Sequence, residues 1–125
     1  MSPASRRFAI LEHHHQGVHW DLLIEETEGG LLRTWALEQA PDHPGAIVAR
    51  ELPAHRRIYL DYAGPISGNR GWVRSWDRGL ALVRVWTGTE VVIELTGSQL
   101  VGLAELTREG DAPDRVWRFR LGKLS

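Results

Sequence analysis

Short stretches of alternating apolar and polar residues, broken by a glycine-bearing turn about every ten residues, run through most of this chain. Alternation puts successive side chains on opposite faces, which is the spacing of half-buried strands and not of helices. It predicts strands over Arg7 to His13, Val18 to Glu25, Leu31 to Leu37, Ile58 to Tyr62, Gly71 to Ser75, Ala81 to Trp86, Glu90 to Thr96, Leu100 to Thr107 and Arg115 to Leu121. The links Glu28-Gly29-Gly30, Asp77-Arg78-Gly79, Thr87-Gly88-Thr89 and Glu109-Gly110-Asp111 are short and suit antiparallel hairpins. Parallel neighbours would need long crossovers, and none is present. The expectation is an all-β fold: a small antiparallel β-barrel of about eight strands. Glu38 to His55, rich in proline, alanine and charge, reads as a long loop or short helical segment.

The 125 residues suit one domain spanning 1–125, with no linker or internal repeat. Fifteen Lys and Arg against sixteen Asp and Glu leave a net charge of −1, so no overall basic field draws the chain to polyanions; any such contact is local. The absence of cysteine excludes disulfides, a thiol nucleophile and thiolate metal sites, which leaves His and carboxylate as metal ligands. No membrane span or signal-like stretch is seen, and the expectation is a cytoplasmic monomer.

Four of the six histidines fall within Glu12-His13-His14-His15-Gln16-Gly17-Val18-His19-Trp20-Asp21. In the strand Val18 to Glu25, alternation places His19 and Asp21 on one face, about 7 Å apart at the backbone from two strand rises, and Val18, Trp20, Leu22 and Ile24 on the other. A turn at Gln16-Gly17 brings His13 to the neighbouring strand. Two imidazoles and a carboxylate on one side of an ion leave other positions open, as a catalytic Mn2+, Fe2+ or Zn2+ requires. His14 and His15 read as turn or surface residues.

A second cluster, His55-Arg56-Arg57-Ile58-Tyr59-Leu60-Asp61-Tyr62, mixes donors that suit a phosphate oxygen. His55 and Tyr59 reach one point if the chain makes a single helical turn between them. The plainer reading of this stretch is a basic edge strand with core tyrosines.

The ordered set Phe8-Ala9-Ile10-Leu11-Glu12-His13, His19-Trp20-Asp21-Leu22-Leu23-Ile24-Glu25, Leu32-Arg33-Thr34-Trp35-Ala36-Leu37, His55 to Tyr59, Tyr62-Ala63-Gly64-Pro65-Ile66 and Trp76-Asp77-Arg78-Gly79 resembles the 3′-phosphoesterase domain of bacterial ATP-dependent DNA ligase D. The resemblance runs from about Phe8 to Leu121, nearly the whole chain. It implies a compact antiparallel barrel and manganese-dependent trimming of a 3′-phosphate or 3′-ribonucleoside during DNA repair by non-homologous end joining. His13, His19 and Asp21 then hold the metal, His55 and Tyr59 flank the scissile phosphate, and Arg50 stands in for a further phosphate-contacting arginine. The chain departs from the family at Leu23, where an arginine is usual, and at Glu38-Gln39, where Pro-Lys is usual. No Lys-x-Asp-Gly adenylation motif occurs, so a stand-alone relative that works with a separate ligase or repair protein is the natural description.

The expected function is that of a metal-dependent hydrolase acting on the 3′ ends of DNA or RNA/DNA strands. Arg33, Arg50, Arg56, Arg57 and Arg70 are the candidates for salt-sensitive strand contacts. Two alternatives use the same residues. One is a DNA-end or metal-binding module without turnover, suggested by the two missing cations. The other is a non-haem iron oxygenase built on the His-x-Asp and a distal His.

Overall fold

The computed structural model describes residues 5–110 and 116–124. Among the described residues nine strands follow one another: β1 (Ser5–His14), β2 (Val18–Glu25), β3 (Leu32–Leu37), β4 (Ile47–His55), β5 (Gly64–Pro65), β6 (Trp72–Trp86), β7 (Glu90–Gly97), β8 (Val101–Arg108) and β9 (Val116–Gly122). A four-residue 3₁₀ turn, Arg57–Leu60, lies between β4 and β5. All pairings are antiparallel, in the order β1-β2-β3-β4-β9-β8-β7-β6. β6 then pairs back onto β1, so eight strands close a barrel and the short β5 adds to β6. The barrel architecture read from the sequence is therefore the one found. No helix among the described residues is long and apolar enough to cross a membrane.

Alternation sorts the side chains into two apolar layers. Phe8, Ile10, Leu22, Ile24, Trp35, Leu37, Trp117 and Phe119 fill the barrel interior. On the outward face of the same strands, Ala9, Leu11, Leu23 and Leu32 form a second layer with Val73, and Leu60 of the 3₁₀ turn caps it, flanked by Tyr59, Tyr62 and Ile66. The connection from β4 to β6 is thus packed down onto β1 and β2, and both faces of β2 are buried from Asp21 to Glu25.

Three elements differ from the sequence reading. β4 occupies the second half of the stretch expected to be loop or helix: Ile47 and Ala49 point inward and are fully buried, while Val48 and Arg50 point outward. With alanine as one of only two fully buried residues, the charged Glu51 opposite the inward Trp35 and Pro53 near its end, its apolar alternation is too weak to stand out. The expected strand Ile58 to Tyr62 is instead the 3₁₀ turn and the residues after it; only Leu60 is fully buried there, so the local sequence needs no strand partner. The expected strands Gly71 to Ser75 and Ala81 to Trp86 are parts of one fifteen-residue strand, β6.

Asp77-Arg78-Gly79 has the composition of a turn, but its side chains serve the sheet. The Asp77 carboxylate accepts backbone N–H groups of Arg78, Ser98 and Leu100 at 2.8 Å, which holds the β7–β8 connection. A Cβ on Gly79 would lie 2.0 Å from the Thr96 carbonyl oxygen, so glycine here permits close strand approach and not a reversal. Of the remaining expectations, Arg115 and Asp111 lie outside the described residues.

Glu25 fastens the outer layer. Its buried carboxylate accepts the Arg7 N–H at 2.6 Å and the Gly29 N–H at 3.2 Å, and it takes the Arg57 guanidinium from the 3₁₀ turn. Burial opposes its ionisation, but Arg57 and the two backbone donors outweigh it and hold the carboxyl below its ordinary 4.5. The bonds to the anion therefore stabilise the fold fully above about pH 4.5, and this contribution is lost as the pH falls through the lower folded-state value. Glu25→Gln is expected to lower the unfolding free energy by about 2 kcal/mol near neutral pH, as loss of a charge-assisted bond does. The gap between parent and variant in urea titrations should narrow below about pH 4.5.

Candidate metal centre

β1 and β2 meet through a tight connection in which Gln16 and Gly17 both have positive φ, 52° and 116°. That turn sets the register in which His13 lies directly opposite His19 and Leu11 directly opposite Asp21. Directly paired residues share a face, so His13, His19 and Asp21 all point outward from the barrel. His13 Nδ1 lies 3.1 Å from His19 Nε2 and 3.4 Å from Asp21 Oδ2, and His19 Nε2 lies 3.0 Å from Asp21 Oδ1. The three residues offer one ligand atom each within 4.8 Å of one another, a group able to hold a metal ion.

Two features of the donors fit a cation between them. Asp21 Oδ1 is buried and has no hydrogen-bond partner among the described residues, although His19 Nε2 lies 3.0 Å away. A buried carboxylate oxygen left in this way costs free energy that an ion would recover. In addition, His13 Nε2 lies 2.9 Å from the Arg70 carbonyl oxygen. A carbonyl only accepts, so Nε2 carries the proton and Nδ1 presents its lone pair to the other two ligands, the arrangement metal-binding histidines commonly show.

Charge in the group is coupled. Contact with the Asp21 carboxylate raises His13 above its ordinary value, against the effect of burial. Burial works against ionisation of Asp21, yet the two imidazoles prevail and hold it below the ordinary carboxylate value. Asp21 therefore stays anionic and supplies the one negative charge of the set.

Beside the group lies a cleft of about 410 Å³. Its floor is apolar, from Leu11, Ile66 and Val73; His13 and Asp21 lie at one side, and Arg56, Arg70, His55 and Tyr59 also line it. The 3₁₀ turn brings His55 and Tyr59 into edge-to-face contact, with ring centres 5.7 Å apart. Tyr59 also meets Tyr62 edge-on at 5.7 Å, and the Arg56 guanidinium carbon lies 5.9 Å from the Tyr59 ring centre. His55 Nδ1 lies 2.9 Å from the Pro53 carbonyl oxygen, and Nε2 has no hydrogen-bond partner among the described residues.

The arginines divide. Arg56 and Arg70 line the cleft. Arg70 folds over its own turn, with Nε donating to the Ser67 carbonyl at 2.7 Å. Arg50 is exposed on β4 and does not line the cleft; it stands opposite Ala36, which in turn pairs with Asp21, so it lies two strands from the metal group on the same outward face. Arg57 is committed to Glu25. Arg33 is not a strand-contacting cation: it is buried, bonded to Glu51 at 2.9 Å and to the Thr87 carbonyl at 2.8 Å, with its guanidinium carbon 4.8 Å from the Trp35 ring centre. Leu23 shares the strand face of His19 and Asp21 but is fully buried in the outer apolar layer.

Sequence reasoning missed the contribution of Arg70, which holds His13 through its main chain. No side-chain chemistry signals a carbonyl; the only trace is Gly71. A Cβ there would lie 1.8 Å from the His14 carbonyl oxygen, so glycine lets the segment press against the end of β1.

Comparison with protein-family models finds none that matches the chain, and comparison with curated proteins also finds no match.

Two outcomes follow from this geometry. Asp21→Asn, which keeps the shape and removes the only anionic ligand, should abolish manganese binding in titration calorimetry, whereas His55→Ala should bind as the parent does. Leu23→Arg should cost about 3 kcal/mol or more of stability in urea denaturation, because it places an unpaired charge in the outer layer.

Proposed function

We propose that this chain is a metal-dependent phosphoesterase that removes a 3′-phosphate or 3′-ribonucleotide from DNA ends, leaving an end that can be sealed. The observation that carries the reading is the convergence of His13 Nδ1, His19 Nε2 and the Asp21 carboxylate beside a cleft that also holds His55, Tyr59 and Arg56. The ordered sequence resemblance to the ligase D phosphoesterase domain supports the same assignment.

His13, His19 and Asp21 would hold Mn2+ or a similar divalent ion, which supplies Lewis acidity toward a phosphoryl oxygen and an acidified water. The chain's own residues do the rest. In its imidazolium form, with Nδ1–H donating to the Pro53 carbonyl, His55 donates a hydrogen bond from Nε2 to the phosphoryl oxygen on which charge develops. The Tyr59 hydroxyl orients the phosphate, and its ring keeps the His55 imidazole in place. Arg56 supplies the local positive charge that a near-neutral chain otherwise lacks. Leu11, Ile66 and Val73 give the cleft an apolar floor, which strengthens each of these contacts.

Removal of the metal by chelation should abolish phosphate release from a 3′-phosphorylated primer–template, and manganese should restore it. His55→Ala should keep the ion and lose about 10²- to 10⁴-fold in rate, the usual contribution of a positioned acid–base group. Manganese binding without any 3′-end processing would favour DNA-end binding alone, a reading to which the apolar Leu23 lends weight. Oxygen consumption dependent on iron and an oxoacid would contradict the phosphoesterase reading.

A further inference from the structure

Arg33, Arg57, Arg74, Arg84 and Arg118 are each matched with a glutamate, and Arg70 is not. It has no ion pair among the described residues, and its side chain bonds its own turn: Nε donates to the Ser67 carbonyl at 2.7 Å and one terminal nitrogen reaches Ser67 Oγ at 3.3 Å. The other terminal nitrogen has no hydrogen-bond partner among the described residues.

The main chain of Arg70 fixes its place beside the metal group. Its carbonyl accepts from His13 Nε2 at 2.9 Å, and it lines the cleft together with His13 and Asp21. The guanidinium is close enough for its charge to oppose protonation of the His13 imidazole. Asn69 and Gly71, on either side, carry positive φ of 56° and 78°, so the turn takes its shape from them and not from the arginine side chain. Any residue supplies a carbonyl. An arginine at this place brings in addition a cation that no carboxylate neutralises.

The neighbouring cations do not serve this side of the cleft. Arg56 lies beside the Tyr59 ring, Arg57 is held by Glu25, and Arg50 stands outside the cleft. Leu23, on the strand face of Asp21, is apolar and fully buried in the outer layer. We infer that Arg70 is a phosphate-binding residue, whose guanidinium turns from Ser67 to the non-bridging oxygens of the terminal phosphate and fills the role that Leu23 leaves open. The inference rests on the phosphoesterase reading for its ligand. A guanidinium suits phosphate because its fork donates two parallel hydrogen bonds, which an ammonium does not. Exchange of the neutral Ser67 acceptors for an anion gains charge-assisted bonds, and the 3.3 Å contact to the hydroxyl is the weaker of the two that give way. One residue then serves twice: its carbonyl orients His13, and its side chain grips the phosphate beside it.

The test measures binding, with Mn2+ present, of a short single-stranded oligothymidylate that ends in a 3′-methylenephosphonate, which is not hydrolysed, against the same strand ending in a 3′-hydroxyl. The parent should bind the phosphonate strand more tightly. Arg70→Ala keeps the main-chain carbonyl. It should weaken the phosphonate strand about ten- to hundred-fold, the loss of hydrogen bonds to a charged group, while binding the hydroxyl strand and Mn2+ as the parent does. Arg70→Lys should recover only part of the loss, and methylguanidinium added to Arg70→Ala should also recover part of it without effect on the parent. A folded Arg70→Ala that keeps the parent's preference for the phosphonate strand overturns this inference alone. So does one that loses the preference and Mn2+ affinity together and gains nothing from methylguanidinium, because the arginine then acts only through its turn. A parent that binds no Mn2+, or binds both strands alike, overturns the phosphoesterase reading and this inference with it.

Discussion

β1 is bonded along both edges, to β2 on one side and to β6 on the other, and the rest of the structure depends on that double pairing. It closes the barrel and therefore fixes which residues of β1 face inward. Phe8 and Ile10 enter the interior while Ala9 and Leu11 enter the outer layer, and continuing the alternation sends His13 outward beside His19. A slip of one residue would exchange the two sets, turning His13 toward the barrel side and driving Phe8 into the outer layer in place of a smaller side chain. Core register and ligand register are one constraint, so the hydrophobic effect that selects the barrel also assembles the three donors.

The outer layer explains how a barrel gains a cleft. Strands of a barrel present one face to water by default, but here Leu11, Leu23 and Leu32 are apolar outward, and burial of each such side chain is worth about 1.5–3 kcal/mol. The crossing segment from β4 to β6 supplies their cover through Leu60, and Glu25 latches it through Arg57. His55 lies just before this segment and Tyr59 within it, so the same packing that shields the leucines sets those two rings beside the metal group. The Arg70 carbonyl comes from the far end of the segment. Each part of the cleft is thus positioned by apolar contacts a few residues away, and few of its residues need contacts made for the site alone.

How much of this was legible follows from what period each residue obeys. The barrel and the grouping of His13, His19 and Asp21 depend on strand alternation and one tight turn, both visible in the sequence. The joining of His55 to Tyr59 was visible only as a condition, a single helical turn, which the 3₁₀ turn supplies. β4 was hidden because Ala49 gives a weak inward signal, and β6 was divided in two because Asp77 and Gly79 have turn chemistry that the sheet uses for other ends. Arg33 and Leu23 could not be placed from composition: an arginine among three tryptophan rings and a leucine beneath a covering segment are set by tertiary neighbours. The main-chain hold on His13 left no side-chain trace at all.

The outward face of the β1–β2 hairpin is a candidate metal site at which His13 would bind through Nδ1, because Nε2 is committed to the Arg70 carbonyl. Anomalous diffraction at the manganese edge from crystals soaked in Mn2+ tests it most directly. One strong peak bonded to His13 Nδ1, His19 Nε2 and an Asp21 carboxylate oxygen is expected, with the Arg70 carbonyl still accepting from His13 Nε2. A peak elsewhere in the molecule, or none at these three residues in a saturated crystal, would contradict it.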